Sequence, residues 1–380
     1  MSHPSSPTAP TANSASPSAT SQPTAARRLL ITGSSGFLGR HWLEALRSDV
    51  AFVRSLPCPV EPVCLARDPA ALRREPWFAA LEALGGPIAT VAGDLLDAER
   101  WQDDAALTGV AAILHGAAVV QHSRRAPAPM VQANVDGTLA IVRVAARHQA
   151  RLVFVSSSGT VGASMDPRAA PLEDAPFAHQ TAGAWPYYAS KIRAEEDGRR
   201  LAERLGVSFV VFRPPVLLGP GDHRFRSTGN IIRHLRRKLP FLLHGGIHFV
   251  DVRDAARAMI RAALLPAPSP AYHLVGTACT VPEFFGRVAA LSGVPAPTRV
   301  LQPALARRIA AVVDAAVHRL PGDRHSPLPD PVVFEMGAHH WGLGSTRAEA
   351  ELGFAARPGD ETLADAIAWV RANHPLLQGR

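Results

Sequence analysis

Short apolar runs alternate with longer amphipathic stretches over the first two thirds of the chain. Leu29, Leu30 and Ile31 form a continuous apolar run, the pattern of a strand covered on both faces. It stops at the loop Thr32-Gly33-Ser34-Ser35-Gly36, and the helical pattern FLGRHWLEALR follows. VEPVCLARDP, PIATVAGDLLD, VAAILHGAAVV, RLVFVSSSGTVG and VSFVVFR repeat the strand pattern. MVQANVDGTLAIVRVAARHQA and PYYASKIRAEEDGRRLAERLG repeat the helical period. Strands separated by helices predict an α/β fold: a doubly wound parallel sheet, followed by a smaller, mostly helical C-terminal region. Residues 1–26, rich in Ser, Thr, Pro and Ala, predict a disordered tail without the features of a secretory signal or transit peptide.

The first loop has the spacing of a dinucleotide-binding turn. Gly33 permits the tight turn, Gly36 lets backbone N–H groups approach a pyrophosphate, and Gly39 lets the helix pack closely on the strand. The helix N-terminus then presents its positive dipole end to the anion. Arg67 ends the second strand, where an acidic residue would suit a free ribose 2′-OH and an arginine a 2′-phosphate. The expected cofactor is therefore NADP(H) rather than NAD(H), with the adjacent Asp68 as the opposing signal. The proline-bearing stretch 50–62 reads as a surface insertion before that strand. Asp94 could accept from an adenine amino group or equally cap the helix after it, and His115 reads as a structural side chain.

Composition narrows the classes. Three scattered cysteines, Cys58, Cys64 and Cys279, make neither a disulfide framework nor a zinc site and suit a reducing cytosol. The sixteen histidines lack metalloprotease spacing, and His339-His340 reads as a loop pair. Net charge is +8, but the arginines are spread through many segments, which argues against a nucleic-acid partner. No run reaches the ~18 apolar residues of a membrane span, so a soluble, cytoplasmic protein is expected.

Tyr187 and Lys191 stand four apart and share a helix face. An ammonium beside a phenol lowers its pKa and makes it usable in proton transfer, and a serine at the preceding strand end could hold a carbonyl oxygen beside it.

The succession TGSSGFLG, GDL, HGAA, NVDGT, VFVSSS, YYASK, RPPVLLGPGD and HFVDVRDAARA resembles the extended short-chain dehydrogenase/reductases over roughly residues 27–375. The resemblance implies Tyr187 as general acid/base, with Lys191 lowering its pKa and binding the nicotinamide ribose. It also implies a catalytic serine, taken as Ser157 by counting from Phe154, with Ser158 the alternative. Gly33, Ser35, Gly36, Phe37, Leu38, Gly39, Arg67, Asp94, Leu95, Ala117, Pro214 and Val216 would contact the cofactor. Asn134 matches the family's helix asparagine, with a structural role equally open. The implied division is a Rossmann domain over 27–215, rejoined by 247–262, and a substrate domain over 216–246 and 263–380. The resemblance also suggests a homodimer through the helices around Asn134 and Lys191.

Departures from the pattern bear on the substrate. Sugar-nucleotide epimerases of this kind carry Tyr-Phe-Asn after the sixth strand and an arginine before the FVDV-like strand, both gripping a diphosphate. Here Arg213-Pro214-Pro215 and Ile247 stand at those places. The match is closer to the dihydroflavonol reductase and 3β-hydroxysteroid dehydrogenase branch, which implies an apolar carbonyl or alcohol substrate. An epimerase or dehydratase is the first alternative and a non-catalytic cofactor-binding module the second. Residues 303–320 form an amphipathic pattern with Leu305, Ile309, Val312, Val313 and Leu320 on one stripe and Arg307, Arg308 and Arg319 elsewhere. Such a helix is expected to dock over the substrate pocket, with peripheral membrane contact as the alternative.

Overall fold

The computed structural model describes residues 25–318 and 330–378. Its strands are β1 (Arg27–Thr32), β2 (Val60–Ala66), β3 (Ala89–Ala92), β4 (Val110–His115), β5 (Arg151–Val155) and β6 (Phe209–Arg213). They continue as β7 (Val216–Leu218), β8 (Leu242–Leu243), β9 (Gly246–Asp251), β10 (Ala271–His273), β11 (Thr277–Thr280) and β12 (Val300–Leu301). Among the described residues seven of them form one parallel sheet in the order β10-β6-β5-β4-β1-β2-β3. The chain starts at the middle of the sheet, works outward to β3 and returns to β4. That reversal opens a crevice at the C-terminal ends of β1 and β4, where ligands of such sheets bind.

The continuous apolar run of β1 is explained by its position. Leu29 and Ile31 enter one core and Leu30 the other, and all three are fully buried. The first core is closed by helices Phe37–Arg47 and Val252–Leu264, the second by Ala128–Arg147 and Pro186–Leu205. A third core lies beyond the sheet. There Phe249 of β9 meets Phe284, Phe285 and Val288 of helix Val281–Ser292, and Leu363, Ile367 and Val370 of helix Gly359–Asn373.

Three expectations change. β10, placed by sequence in the substrate domain, is the edge strand of the main sheet beside β6, whereas β9 pairs with β7 and β11 in a separate three-stranded sheet. Val250 of β9 and the helix after it nevertheless pack into the first core. The stretch 50–62 is more than a surface insertion, because Phe52 in the short helix Val50–Arg54 is buried and residues 60–62 belong to β2. The amphipathic segment is helical over Pro303–His318, and Arg319 and Leu320 lie outside the described residues, as do the side chain of Val313 and most of the N-terminal tail. The described side chains of its apolar stripe face outward: Leu305, Ile309 and Val312 are 50%, 44% and 69% exposed, while Ala310 is buried against Phe334. No helix among the described residues is long and apolar enough to cross a membrane.

Candidate active site

The glycine loop is shaped by contacts of backbone on backbone. Gly33 has φ +74°, and a Cβ there would stand 2.8 Å from the Ala117 nitrogen at the end of β4. At Gly39 a Cβ would stand 2.2 Å from the Gly33 carbonyl oxygen, the close helix-on-loop packing that the spacing predicts. Gly36 donates its N–H to Gly33 O at 2.8 Å and caps the helix Phe37–Arg47, whose N-terminus receives no side-chain cap. An uncapped helix end of this kind suits an anion such as a pyrophosphate, which the backbone of Ser35, Phe37 and Leu38 would meet. The Leu38 side chain itself belongs to the core.

Each of the next two strand ends carries an aspartate that caps the turn after it. Arg67 is exposed after β2, whereas Asp68 accepts from the Ala71 N–H at 2.8 Å as the cap of helix Pro69–Arg74. Asp94 is occupied in the same way, accepting from Leu96 N–H at 3.0 Å, with Leu95 packed against the second core near Gly137. Pro214 accepts from the Ser158 N–H at 2.9 Å, and Val216 is 41% exposed where β7 begins.

A buried chain of hydrogen bonds ties the cofactor loop to the tyrosine-bearing helix. The Ala117 N–H donates to Thr32 Oγ1 (3.3 Å), and Thr32 pairs with His115 Nδ1 (2.7 Å). His115 Nε2 meets Thr138 Oγ1 (3.2 Å), which itself donates to Asn134 O (2.6 Å). Since Thr138 gives its proton to Asn134, it accepts from His115 Nε2–H, and Nδ1 accepts from the Thr32 hydroxyl. Burial pushes the His115 imidazole down to about 3, keeping it in this neutral form. Asn134 then donates to Ser190 Oγ at 3.0 Å, and Ser190 donates to Tyr187 O at 2.6 Å. The Asn134 side chain also clamps Val119 through its N–H and its carbonyl. His115 is structural, and Asn134 is committed to holding two loops together.

Tyr187 and Lys191 share a helix face, as predicted, but their electrostatics differ from expectation. Lys191 Nζ donates to Val155 O at 2.8 Å and lies 4.9 Å from the centre of the Phe154 ring. Burial pulls its ammonium down to about 8 and pushes the Tyr187 phenol up to about 12. Desolvation is the cause of the phenol's shift and favours its protonated form. Its hydroxyl has no hydrogen-bond partner among the described residues. At the end of β5 the serines have different surroundings. Ser157 Oγ is half-buried and accepts only a long bond from Gly159 N–H (3.4 Å), Ser158 is buried, and Ser156 Oγ is buried without a partner.

Sequence reasoning missed the wall around the phenol. His122 lies edge-on to Tyr187 with ring centres 5.2 Å apart, and Tyr188 adjoins it at 5.1 Å. Trp341 stacks on Tyr188 at 5.3 Å and approaches Trp185 at 5.7 Å. Trp341 arrives there because His340 and Ser164 exchange backbone hydrogen bonds, drawing the C-terminal segment across the loop after β5. Two tryptophan-adjacent histidines in an alanine-rich tail were the available signal. Arg213 is not free for a substrate: it is buried on Glu195, donates to Glu173 O at 2.9 Å and contacts His273. Ile247 packs against the third core.

The reversal in strand order, the uncapped helix behind three glycines, and the tyrosine and lysine on one helix together define a Rossmann-type dinucleotide enzyme. The NAD dependent epimerase/dehydratase family model matches residues 29–275, and the chain belongs to that family, as an extended short-chain dehydrogenase/reductase. "Sterol demethylase protein B" of Methylococcus capsulatus is 28% identical over 347 residues, 90% of this chain and 98% of that protein. "Putative dihydroflavonol 4-reductase" of Synechocystis is 27% identical over 358 residues, 92% of this chain and 95% of that protein. Among solved structures, the dTDP-glucose 4,6-dehydratase DesIV of Streptomyces venezuelae, with NAD and TYD bound, shares the fold at TM-score 0.68 and 21% identity, covering 92% of this chain and 99% of that chain.

Proposed function

We propose that the chain is an NADP(H)-dependent oxidoreductase that interconverts a ketone or aldehyde and an alcohol on an apolar, fused-ring or lipid-like substrate. The observation that carries this reading is the unpartnered Tyr187 phenol in a wall of His122, Tyr188, Trp185 and Trp341, with Lys191 one helical turn on. A bound nicotinamide would supply the hydride. Tyr187, protonated at neutral pH, donates the proton that turns the reduced carbonyl oxygen into a hydroxyl. Ser157 holds that oxygen by its hydroxyl, and the Lys191 ammonium replaces its bond to Val155 O with one to the ribose when cofactor is present.

Exposed Arg67 beside a committed Asp68 supports a 2′-phosphate, and so NADP(H). The names of the two relatives, a sterol demethylase protein and a putative dihydroflavonol reductase, support a flat apolar substrate. With Arg213 locked on Glu195 and Ile247 in the third core, the residues expected to grip a sugar diphosphate are occupied or apolar.

The test is loss of NADPH absorbance on a panel of apolar aldehydes, ketones and 3-keto steroids, with NADH and Tyr187→Phe as controls. Turnover should favour NADPH and fall about a thousandfold in Tyr187→Phe. Ser157→Ala and Ser158→Ala, assayed together, identify the serine. Conversion of a nucleotide sugar without net NADPH consumption, or a Tyr187→Phe enzyme of near-normal rate, would overturn the reading.

A further inference from the structure

Basic residues are spread along the chain, but two stretches of the substrate side carry them without any acidic residue. From His223 to Val250 there is no acidic residue and six Arg and Lys, and from Phe284 to Val313 none and four. Removing these ten from the chain's forty leaves thirty basic against thirty-two acidic residues elsewhere. The whole net charge of +8 therefore resides in these two stretches.

The fold brings the two stretches together. Leu242 of β8 donates its N–H to Arg299 O at 2.9 Å, and β8 pairs with β12. His234, Arg237 and Leu239 line a hollow with Pro295, Ala296 and Pro297, and Phe241 supports Ala310 and Phe334 beneath the helix Pro303–His318. Arg233, Arg237, Lys238, Arg299 and Arg308 are all exposed, and none has an acidic partner among the described residues. Leu305, Ile309 and Val312, spaced four and three apart, form the exposed stripe on that same helix.

We propose that this face docks the protein on an anionic phospholipid surface. The aliphatic stripe would enter the boundary between headgroups and acyl chains, and the arginines and Lys238 would meet lipid phosphates. A second copy of the chain would bring one cationic face against another. A nucleic acid would satisfy the charge but leave the aliphatic stripe in water. The proposal does not depend on the catalytic reading, and its test reads binding alone.

The experiment is co-sedimentation of the full chain with phosphatidylcholine vesicles, with and without phosphatidylglycerol, at about 0.1 M and about 1 M salt. Binding should require phosphatidylglycerol and weaken at least tenfold at high salt. Ile309→Glu with Val312→Glu, and separately Arg237→Glu with Lys238→Glu, should each weaken it at least tenfold while leaving the melting temperature unchanged, since all four side chains are exposed. Equal binding to uncharged vesicles, no binding to anionic ones, or variants that bind like the parent would overturn the proposal. So would a dimer that the glutamate variants dissociate, which would assign the face to a second copy.

Discussion

Where the glycine loop meets β4, the constraints are backbone against backbone; where Tyr187 meets the C-terminal segment, they are ring against ring. A Cβ on Gly39 would stand 2.2 Å from a carbonyl oxygen, and no rotamer change relieves that contact. The aromatic wall tolerates adjustment, because its parts come from separate loops and helices near residues 122, 185–188 and 341. The first arrangement suits a ligand common to many enzymes. The second allows the substrate to differ while the fold stays the same.

Glycine substitutions probe this contrast most strongly. Gly39→Ala should cost about 3 kcal/mol, because backbone must move to admit the methyl group. Gly286→Ala, in the substrate-side helix Val281–Ser292 where a Cβ meets nothing within 4 Å, should stabilise by about 0.5–1 kcal/mol. Urea unfolding of both variants reads the two signs. A Gly39→Ala protein as stable as its parent would remove the distinction.

The same contrast explains what could be read from the sequence. Gly33, Gly36 and Gly39 serve their turn within seven residues, so their spacing carries the geometry. Tyr187 and Lys191 are similarly local. Trp341 reaches Tyr188 only through the bridge between His340 and Ser164, a pairing across 176 positions that no periodicity marks. The apolar stripe of 303–320 was legible as a stripe, but not its direction, because Ala310 rather than a large residue makes the docking contact. Asp68 and Asp94 needed the fold to show that each is already bonded to the helix it caps. The upward shift of the phenol is not legible in the motif for a related reason: the motif shows the lysine, whereas burial is a property of the whole packed site.

Each half also contains a buried histidine held neutral, so acid should loosen both. His115 is pushed down to about 3, and His248 to about 4 where its Nε2 accepts from Gly276 N–H and its Nδ1 donates to Trp341 O. Below the ordinary value of 6.5 the unfolded chain takes up a proton that the folded chain refuses. Stability is therefore full above about pH 6.5 and falls as pH drops towards 4 and 3. At pH 5 the loss should approach about 2 kcal/mol for each histidine. His115→Gln and His248→Gln should each flatten part of that slope in urea melts at pH 7 and pH 5. An unchanged slope in both would place the acid sensitivity elsewhere.

A change of about tenfold is expected at a cofactor-side position where a flexible side chain, rather than backbone, would decide the ligand. Arg67 is exposed at the end of β2, and Asp68 is spent on the Ala71 N–H. Arg67→Ser should weaken NADPH binding about tenfold, as expected for removing one charged contact to a 2′-phosphate, and leave NADH binding nearly unchanged. Fluorescence titration with each nucleotide measures this without turnover. Equal losses for both nucleotides would mean that Arg67 supports the loop rather than reads the phosphate. A gain for NADH alone would instead mean that Asp68 leaves its cap to meet the ribose, which Asp68→Asn would then reverse.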